Sequence, residues 1–329
     1  IFSKGWISRL IKYLVNPIPI KKQATDVRAI LNCIKVVKEG GSIAMAPEGN
    51  RTYSGKTEYI NPAVVPLARK LGLPVLLYRI EGGYGVQPRW SDVVRRGKMK
   101  SYVSRVVEPE EYGAYTDEEF MELIRTELYV NDCEGQGEFK HKKRAEYLER
   151  AIYVCENCGL STFESQKDII KCKRCERAKR YLPGMKLQGV GFESPFKTVN
   201  DWYEYQCRFV NSLDLTKMEN EPLYLERSSV SEVIPYDRKV RLEKSAVIAL
   251  YPDRIEIKGD RMKTDTYMFD EISVVSVLGR NKLNIYHGSK IYQLKSDKRF
   301  NALKYVNIYH RYKNLTKGDK VKNGEFLGL

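Results

Sequence analysis

The amino-acid sequence predicts an α/β domain with a mixed sheet and flanking helices, then a small cysteine-containing unit, then a β-rich carboxy-terminal domain. Three observations predict this order. Helical patterns and apolar strand patterns alternate through residues 1–135, which is typical of an α/β unit. Two Cys-x-x-Cys pairs lie within residues 151–183. Short apolar strands separated by turn residues fill residues 221–315 and end in a helix.

The individual elements follow from the spacing of apolar residues and from the residues that begin and end each segment. Helices are predicted at 5–15, from Asp26 to about Val37, at 62–71 and from Asp117 to Tyr129. Strands are predicted at 42–46, 73–80 and 100–109. Beyond them we predict a charged linker helix at 136–150, a second linker at 184–220 and a tail at 316–329.

The first predicted helix is amphipathic and basic. Its apolar face carries Trp6, Leu10 and Leu14, and Arg9 and Lys12 point away from that face. Such a helix can lie in a membrane interface. A helix packed on its own domain explains the same pattern and is the favoured alternative. No run of about 18 uncharged apolar residues predicts a membrane span.

The charge of the chain is unevenly distributed. The 329 residues include 57 Lys and Arg against 42 Asp and Glu, a net charge of +15. Residues 1–100 hold 18 of the basic residues but only 6 of the acidic ones. This block predicts an anionic partner, which can be nucleic acid, a phosphorylated substrate or a membrane surface. Few aromatic residues lie among the basic ones, and this disfavours nucleic acid.

Four of the seven cysteines have the spacing of a metal site. Cys155 and Cys158 are followed, after thirteen residues, by Cys172 and Cys175. Each pair can direct two sulfurs to one ion, and two pairs complete a tetrahedral shell, so we predict a structural zinc ribbon in a reducing compartment. A redox dithiol needs one pair only and explains half of the pattern. The remaining cysteines are predicted to be ordinary thiols: Cys33, Cys133 and Cys207.

The segment PEGNRTYSGKT at 47–57 presents polar residues directly after the predicted strand 42–46. A Walker A loop has four residues between its first glycine and the Gly-Lys-Ser/Thr group. Here five residues separate Gly49 from Gly55. Nucleotide binding is therefore disfavoured for this loop.

The same loop resembles the Pro-Glu-Gly-Thr-Arg-Ser block of the glycerolipid acyltransferase family, whose members acylate lysophosphatidic acid and related lysophospholipids. Two flanking segments agree with the family in order and spacing. NPIPIKK at 16–22 resembles an earlier family block, and ARKLGLPVLLYRIEGGY at 68–84 resembles a later one. The resemblance covers about residues 1–130.

The resemblance implies an O-acyltransferase that moves an acyl group from acyl-CoA or acyl-carrier protein to the hydroxyl of a lysophospholipid. It implies a cytoplasmic protein, peripheral at the inner membrane face and in contact with an anionic membrane surface. Arg51 and Lys22, with Lys21 as a further cation, can bind the phosphate of the acceptor. Glu48 and Gly49 complete the predicted site, and Glu48 can orient Arg51 or bond the glycerol hydroxyl. The alternative for the charged residues is a surface ion pair.

The sequence departs from the family pattern in three places. Asn50 replaces the usual Thr, and Lys22 replaces the usual Arg, which gives up bidentate geometry. The catalytic Asn-His-x-x-x-x-Asp block, whose His is the general base of the family, is absent. Its His and Asp are expected upstream of Ile1, or have been lost. The histidines present lack an Asp at the required spacing and are predicted to be surface or turn residues: His141, His287 and His310.

The β-rich region resembles a pleckstrin-homology-like barrel, because several antiparallel strands are followed by one closing helix. The resemblance implies either docking on phosphoinositide or protein, or a cap on the first domain. Two functions other than acyl transfer stay open. One is a catalytically inactive lipid-binding protein, and the other is a nucleic-acid-binding protein, each with a structural zinc ribbon.

Overall fold

The computed structural model describes residues 6–18, 27–234, 238–260 and 264–317. The first part contains the helices α1 (Trp6–Val15), α2 (Val27–Lys38), α3 (Val64–Leu71), α4 (Gly83–Val86), α5 (Pro109–Gly113) and α6 (Asp117–Leu128). It also contains the strands β1 (Val75–Glu81) and β2 (Lys100–Val107). These elements confirm the four predicted helices and the two later strands to within a few residues. Over the described ranges, every helix is too short or too polar to cross a bilayer.

The predicted strand at 42–46 is wrong. The structure has no strand there, and β1 pairs antiparallel with β2 in a sheet of two strands. A strand needs a neighbour to satisfy its backbone N–H and C=O groups, and no described strand pairs with this segment. Met45 is accordingly 47% exposed. In the described residues, the predicted mixed sheet is therefore a single hairpin.

Local signals explain the ends of two helices in this part. The Thr116 hydroxyl accepts a hydrogen bond from the Glu119 N–H over 3.2 Å, and the Glu119 carboxylate accepts one from the Thr116 N–H over 2.8 Å. This capping box starts α6. Gly72 ends α3 in the left-handed conformation, with φ of 64°. Phe120 and Val107 are fully buried in a small core between α3, α6 and the hairpin.

The predicted linker helix is also wrong. Residues 140–151 form turns and a short 3₁₀ helix, Leu148–Arg150. The Ala145 N–H donates to the Lys167 carbonyl over 2.9 Å, which removes it from any helical hydrogen-bond pattern. Tyr147 has φ of 72°, and a right-handed helix cannot continue through that conformation.

Helix α7 (Val199–Ser212) lies in the segment predicted to be a second linker. Thr198 and Asp201 form a capping box at its start. The Trp202 side chain is buried, and its ring N–H donates to the Val154 carbonyl over 2.8 Å. The prediction missed this helix because aromatic and Asn residues, which are weak helix formers, make up much of it. Packing of its apolar face supplies the missing stability.

The cysteine region is built from six short strands: β3 (Val154–Cys155), β4 (Gly159–Leu160), β5 (Phe163–Gln166), β6 (Ile169–Cys172), β7 (Ala178–Tyr181) and β8 (Leu187–Gly189). β3 pairs with β4, and β5 to β8 form an antiparallel sheet in chain order. The hairpins between successive strands bring the two Cys-x-x-Cys turns to the same end of the unit.

The carboxy-terminal region forms β9 (Tyr224–Val233), β10 (Lys239–Leu250), β11 (Arg254–Lys258), β12 (Asp265–Met268), β13 (Ile272–Leu278), β14 (Lys282–His287), β15 (Lys290–Lys295) and α8 (Leu303–Lys317). The strands make one antiparallel sheet in the order β12-β11-β10-β9-β15-β14-β13. A β-rich sheet with a terminal helix was predicted, and it is compatible with a pleckstrin-homology-like domain.

One hydrophobic core connects the cysteine region, α7, the seven-stranded sheet and α8. Side chains from the first part of the chain also enter it, among them Tyr53, Tyr84 and Trp90. The residues that follow the loop at 47–51 are thereby fixed against the rest of the molecule.

Candidate functional site

The candidate loop turns at Gly49, whose φ of 69° is a conformation that residues with a side chain rarely adopt. The half-buried Glu48 accepts a hydrogen bond from the Glu58 N–H over 3.1 Å. Burial raises the pKa of the Glu48 carboxyl. Glu48 therefore fastens the loop to the chain that follows it. The predicted role of orienting Arg51 is taken instead by Gln87, which accepts both hydrogen bonds that the structure gives the Arg51 guanidinium.

The half-buried Glu58 carboxylate organises the residues after Arg51. The hydroxyl groups of Thr52 and Ser54 donate to Oε1 of Glu58 over 3.0 and 3.1 Å. Burial raises the pKa of Glu58, while these two hydrogen bonds act to lower it. Sequence reasoning missed this group, although alternating hydroxyl residues upstream of a Glu could have indicated it. The network gives the loop a defined shape.

Arg51 is exposed, and its guanidinium is held by neutral groups. Its Nη1 donates to the Gln87 carbonyl over 3.2 Å and to the Gln87 side-chain oxygen over 3.4 Å. Arg51 makes no ion pair within the described ranges, so the predicted alternative of a surface ion pair is not observed there. Partial burial, together with the positive charges of Arg280 and Arg89, lowers the pKa of Arg51. Its charge remains available to an anion.

The second half of the loop has a structural role. Nζ of Lys56 lies 3.0 Å from the Glu204 carboxylate on α7. A Cβ on Gly55 would lie 2.8 Å from the Tyr84 ring and 2.9 Å from the Cys133 sulfur. Glycine is therefore required for packing here. The Lys56 charge is thus paired with Glu204 and Gly55 is packed against two side chains, which disfavours nucleotide phosphate at this segment.

Two predicted site residues, Lys21 and Lys22, lie outside the described residues. The histidines only partly follow the prediction. His141 lies in a turn region and His287 at the end of β14, both partly exposed. His310 is 9% exposed within α8, so its prediction as a surface or turn residue is wrong. None of the three has an Asp at the spacing of the family's His-x-x-x-x-Asp pair.

The burial of His310 predicts a pH dependence of stability. Burial lowers its pKa to about 4, against about 6.5 in an unfolded chain. Between these values the unfolded state binds the extra proton, so the free energy of unfolding should fall by up to about 3 kcal/mol as the pH is lowered through this window. Urea unfolding at pH 7 and pH 4.5 measures it. His310→Gln should flatten the dependence and His141→Gln should not; equal slopes in the two variants would contradict the assignment.

The four clustered cysteines converge as predicted. The sulfurs of Cys155, Cys158, Cys172 and Cys175 all lie within 4.8 Å of one another. Cys155 and Cys175 have their sulfurs 3.7 Å apart, and a tetrahedral Zn²⁺ with Zn–S bonds of about 2.3 Å requires sulfurs about 3.8 Å apart. The donor set therefore fits a metal such as zinc. Four protein ligands leave no open position, which is typical of a structural site.

Polar groups lie next to two of the four sulfurs. Ser161 Oγ lies 3.1 Å from the Cys172 sulfur, and the Asn157 N–H donates to the Cys155 sulfur over 3.5 Å. Burial alone would raise the pKa of Cys172, but hydrogen bonds from Ser161 and from backbone N–H groups bring it down to about 7. Such outer contacts orient metal ligands. Burial, together with contact with Cys175, raises the pKa of Cys155 and of Cys158, so a bound cation would be needed to hold all four sulfurs as thiolates.

The three other cysteines are isolated, buried thiols, as predicted. Burial raises the pKa of Cys33 and of Cys207, and that of Cys133 to about 12. A buried thiol with a raised pKa is a poor nucleophile. None of the three is a candidate for acyl transfer through a cysteine.

No protein-family model matches the chain. The chain is 23% identical over 116 residues to the chloroplastic 1-acyl-sn-glycerol-3-phosphate acyltransferase BAT2 of Brassica napus, over 34% of this chain and 31% of that protein. It therefore spans about a third of the length of the curated relative. Among solved structures, the N-terminal PH domain of human ARAP2 is 12% identical with a TM-score of 0.24, and the match covers 30% of this chain and 87% of that domain. The chain is thus distantly and partly similar to an acyltransferase.

Proposed function

We propose that the protein is an O-acyltransferase that transfers an acyl group from acyl-CoA or acyl-carrier protein to the hydroxyl of a lysophospholipid. One observation carries the proposal. The loop that resembles the family block presents the exposed Arg51 guanidinium, held by neutral acceptors and without a carboxylate partner among the described residues. A fixed guanidinium with free charge suits the phosphate of a lysophosphatidic acid-like acceptor. The partial similarity to a plant acyltransferase supports the same reading.

Each residue of the proposed site has a defined task. Arg51 binds the acceptor phosphate, and Lys21 and Lys22 add charge to it. Glu48 and Gly49 fix the loop that carries Arg51. The acceptor oxygen then attacks the thioester carbonyl, the C–S bond breaks, and a general base takes the hydroxyl proton and passes it to the leaving thiolate, which departs as the thiol. The proposal assigns that base to a group other than the three histidines of this sequence.

The protein is proposed to act at an anionic membrane surface, on the cytoplasmic side and peripheral to the bilayer. Helix α1 supports this location. Trp6 is 69% exposed and Leu14 67% exposed, so the favoured alternative, a helix packed on its own domain, is not observed for these side chains. Arg9 and Lys12 are exposed on the same helix. Apolar side chains flanked by basic ones are the features that an interfacial helix uses.

A second candidate is a catalytically inactive protein that binds the same lipids around a metal-stabilised core. The cysteine cluster, whose four sulfurs lie within 4.8 Å of one another, supports the metal-stabilised core. This candidate shares the phosphate-binding role of Arg51 with the enzyme, and differs in turnover alone.

The Arg51→Ala variant tests the enzymatic proposal. In the intact protein, with acyl-CoA or acyl-carrier protein as donor and lysophosphatidic acid as acceptor, we expect kcat/KM to fall about a hundredfold or more, since a charge-assisted contact to the acceptor is lost. Circular dichroism and thermal unfolding should be unchanged, because Arg51 is exposed. Arg227→Ala, an exposed arginine on β9, is the matched control and should keep full turnover. Turnover equal to the parent in Arg51→Ala would reject the site.

A further inference from the structure

Three arginines meet where the candidate loop touches the carboxy-terminal sheet. Arg51 belongs to the loop, Arg89 follows α4, and Arg280 lies in the turn between β13 and β14. They come from distant parts of the chain, so no local motif relates Arg280 to the other two.

Arg89 joins the loop to the sheet. Its guanidinium donates to the Arg51 carbonyl over 3.4 Å, to the Val277 carbonyl over 3.3 Å and to the Gly279 carbonyl over 3.5 Å. It also lies over the Tyr53 ring, 4.4 Å from the ring centroid. All of these contacts fix the position of the guanidinium and none of them neutralises it. The hydrogen bond to the Gly279 carbonyl holds the turn between β13 and β14, and with it Arg280, next to Arg89.

That residue, Arg280, contacts the Asp92 carboxylate, which also pairs with Arg150. Its Nη1 lies 3.2 Å from Oδ1 of Asp92, and the same oxygen is 2.7 Å from Nη1 of the buried Arg150. Within the described ranges, Arg51 and Arg89 have no carboxylate partner. Two guanidinium groups therefore share the Asp92 carboxylate, and the charge of Glu58 reaches Arg89 only at longer range.

Such an excess of like charge is unfavourable unless an anion compensates for it. The lowered pKa of Arg51, caused by partial burial and by the charges of Arg280 and Arg89, is in line with uncompensated repulsion. The group is also accessible, because Arg51 is exposed and the Arg280 side chain is 35% exposed. An anion can therefore reach it from solvent.

We propose that Arg51, Arg89 and Arg280 together bind one phosphate monoester, and that the turn between β13 and β14 thereby completes the site from the carboxy-terminal sheet. A phosphate monoester offers three terminal oxygens, which suit three guanidinium groups with paired N–H donors. A carboxylate offers only two. The assignment of this phosphate to the lysophospholipid acceptor rests on the proposed function, whereas the anion site itself does not.

Isothermal titration of the intact protein with inorganic phosphate tests the site at low ionic strength. Replacing Arg280 by Gln, which removes the charge and keeps a polar side chain, should weaken phosphate binding about ten- to hundredfold. Arg89→Gln and Arg51→Gln should each do the same. The matched control is Arg227→Gln, an exposed arginine of β9 in the same sheet, which should bind as the parent does. Parental affinity in Arg280→Gln would overturn the proposal.

A measurement on the unaltered protein covers the case in which Arg280→Gln does not fold. Phenylglyoxal modifies accessible arginines, and mass spectrometry locates the modified sites. Phosphate should protect Arg51, Arg89 and Arg280 against modification and leave Arg227 unprotected. Equal labelling of Arg280 with and without phosphate would also overturn the proposal.

Two further ligands separate free phosphate from lipid as the source. Glycerol 3-phosphate and lysophosphatidic acid in neutral detergent micelles should both lose affinity in Arg280→Gln, and the lipid should bind more tightly if the acceptor is a lysophospholipid. Monoacylglycerol in the same micelles should not distinguish the variants. These binding measurements contain no acyl donor and do not depend on turnover. A failure of acyl transfer in a separate assay would therefore count against the proposed function and leave the anion site unaffected.

Discussion

Treatment with a metal chelator, or replacement of Cys172 by Ser, is expected to unfold the cysteine region and the helix packed on it. Cys155 and Cys172 are each 1% exposed. Without a metal, water cannot solvate their thiolates as long as the region stays folded. Binding energy at a structural zinc site is folding energy. We expect the free energy of unfolding to fall by more than about 5 kcal/mol.

The loss should spread beyond the four ligands, because α7 rests on the strand that carries Cys155. The Gln206 side-chain oxygen accepts from the backbone N–H groups of Tyr153 and Val154 over 2.7 and 3.2 Å. The Tyr224 hydroxyl of β9 donates to the Tyr153 carbonyl over 3.1 Å. Disorder of this strand therefore removes partners from both α7 and the seven-stranded sheet.

The measurement combines metal content and unfolding. Mass spectrometry should find one zinc per chain, and thermal unfolding with a chelator should show a large decrease in Tm. Cys33→Ser, which alters a buried thiol of α2 outside the cluster, is the control and should keep both the metal and most of the stability. A metal-free protein with an unchanged Tm, or a Cys155–Cys175 disulfide in its place, would contradict the metal assignment.

The second large effect is expected from Asp92→Asn. The Arg150 side chain is 2% exposed and its Nη1 lies 2.7 Å from the Asp92 carboxylate. Neutralising Asp92 leaves a buried guanidinium without its counter-charge, and such a change typically costs about 3 to 5 kcal/mol. Chemical denaturation measures the loss. Asp117→Asn removes a surface pair with Arg69 and should cost less than about 1 kcal/mol; equal losses in the two variants would be inconsistent with a buried pair.

The same pair predicts a second pH window. Burial would raise the pKa of Asp92, but the hydrogen bond and charge of Arg150 outweigh it, and the pKa is lowered. The pair therefore stabilises the fold fully above the unfolded pKa of about 4, and the stabilisation is lost as the pH falls through the lower folded value. The stability difference between the parent and Asp92→Asn should be constant above about pH 5 and shrink below about pH 4.

Features encoded by neighbouring residues could be predicted from the sequence. The Cys-x-x-Cys spacing led directly to four sulfurs within 4.8 Å, and Gly72 marked the end of α3. In both cases residues a few positions apart determine the geometry. The alternating turns and apolar runs of β9 to β15 were equally local signals.

Features that depend on distant contacts could not be predicted. The apolar run at 42–46 has strand propensity, but a strand also requires a neighbouring strand to pair with, and local sequence cannot show whether one is present. The charged run at 140–151 has helical propensity, yet the Ala145 N–H donates a hydrogen bond to the Lys167 carbonyl in the cysteine region. Arg51 was predicted from its motif, whereas Arg280 lies more than two hundred residues away in sequence and was found only in the structure.

The two hydrophobic cores are of unequal size, and this bears on how the molecule opens. The small core between α3, α6 and the hairpin is separate from the large one that joins the cysteine region, α7, the sheet and α8. Regions with less buried apolar surface open at a lower free energy, as independent cooperative units. The region around the small core should therefore unfold locally while the large core stays folded. Tyr53 and Trp90, which belong to the large core, would keep the residues beside Arg51 ordered during such openings.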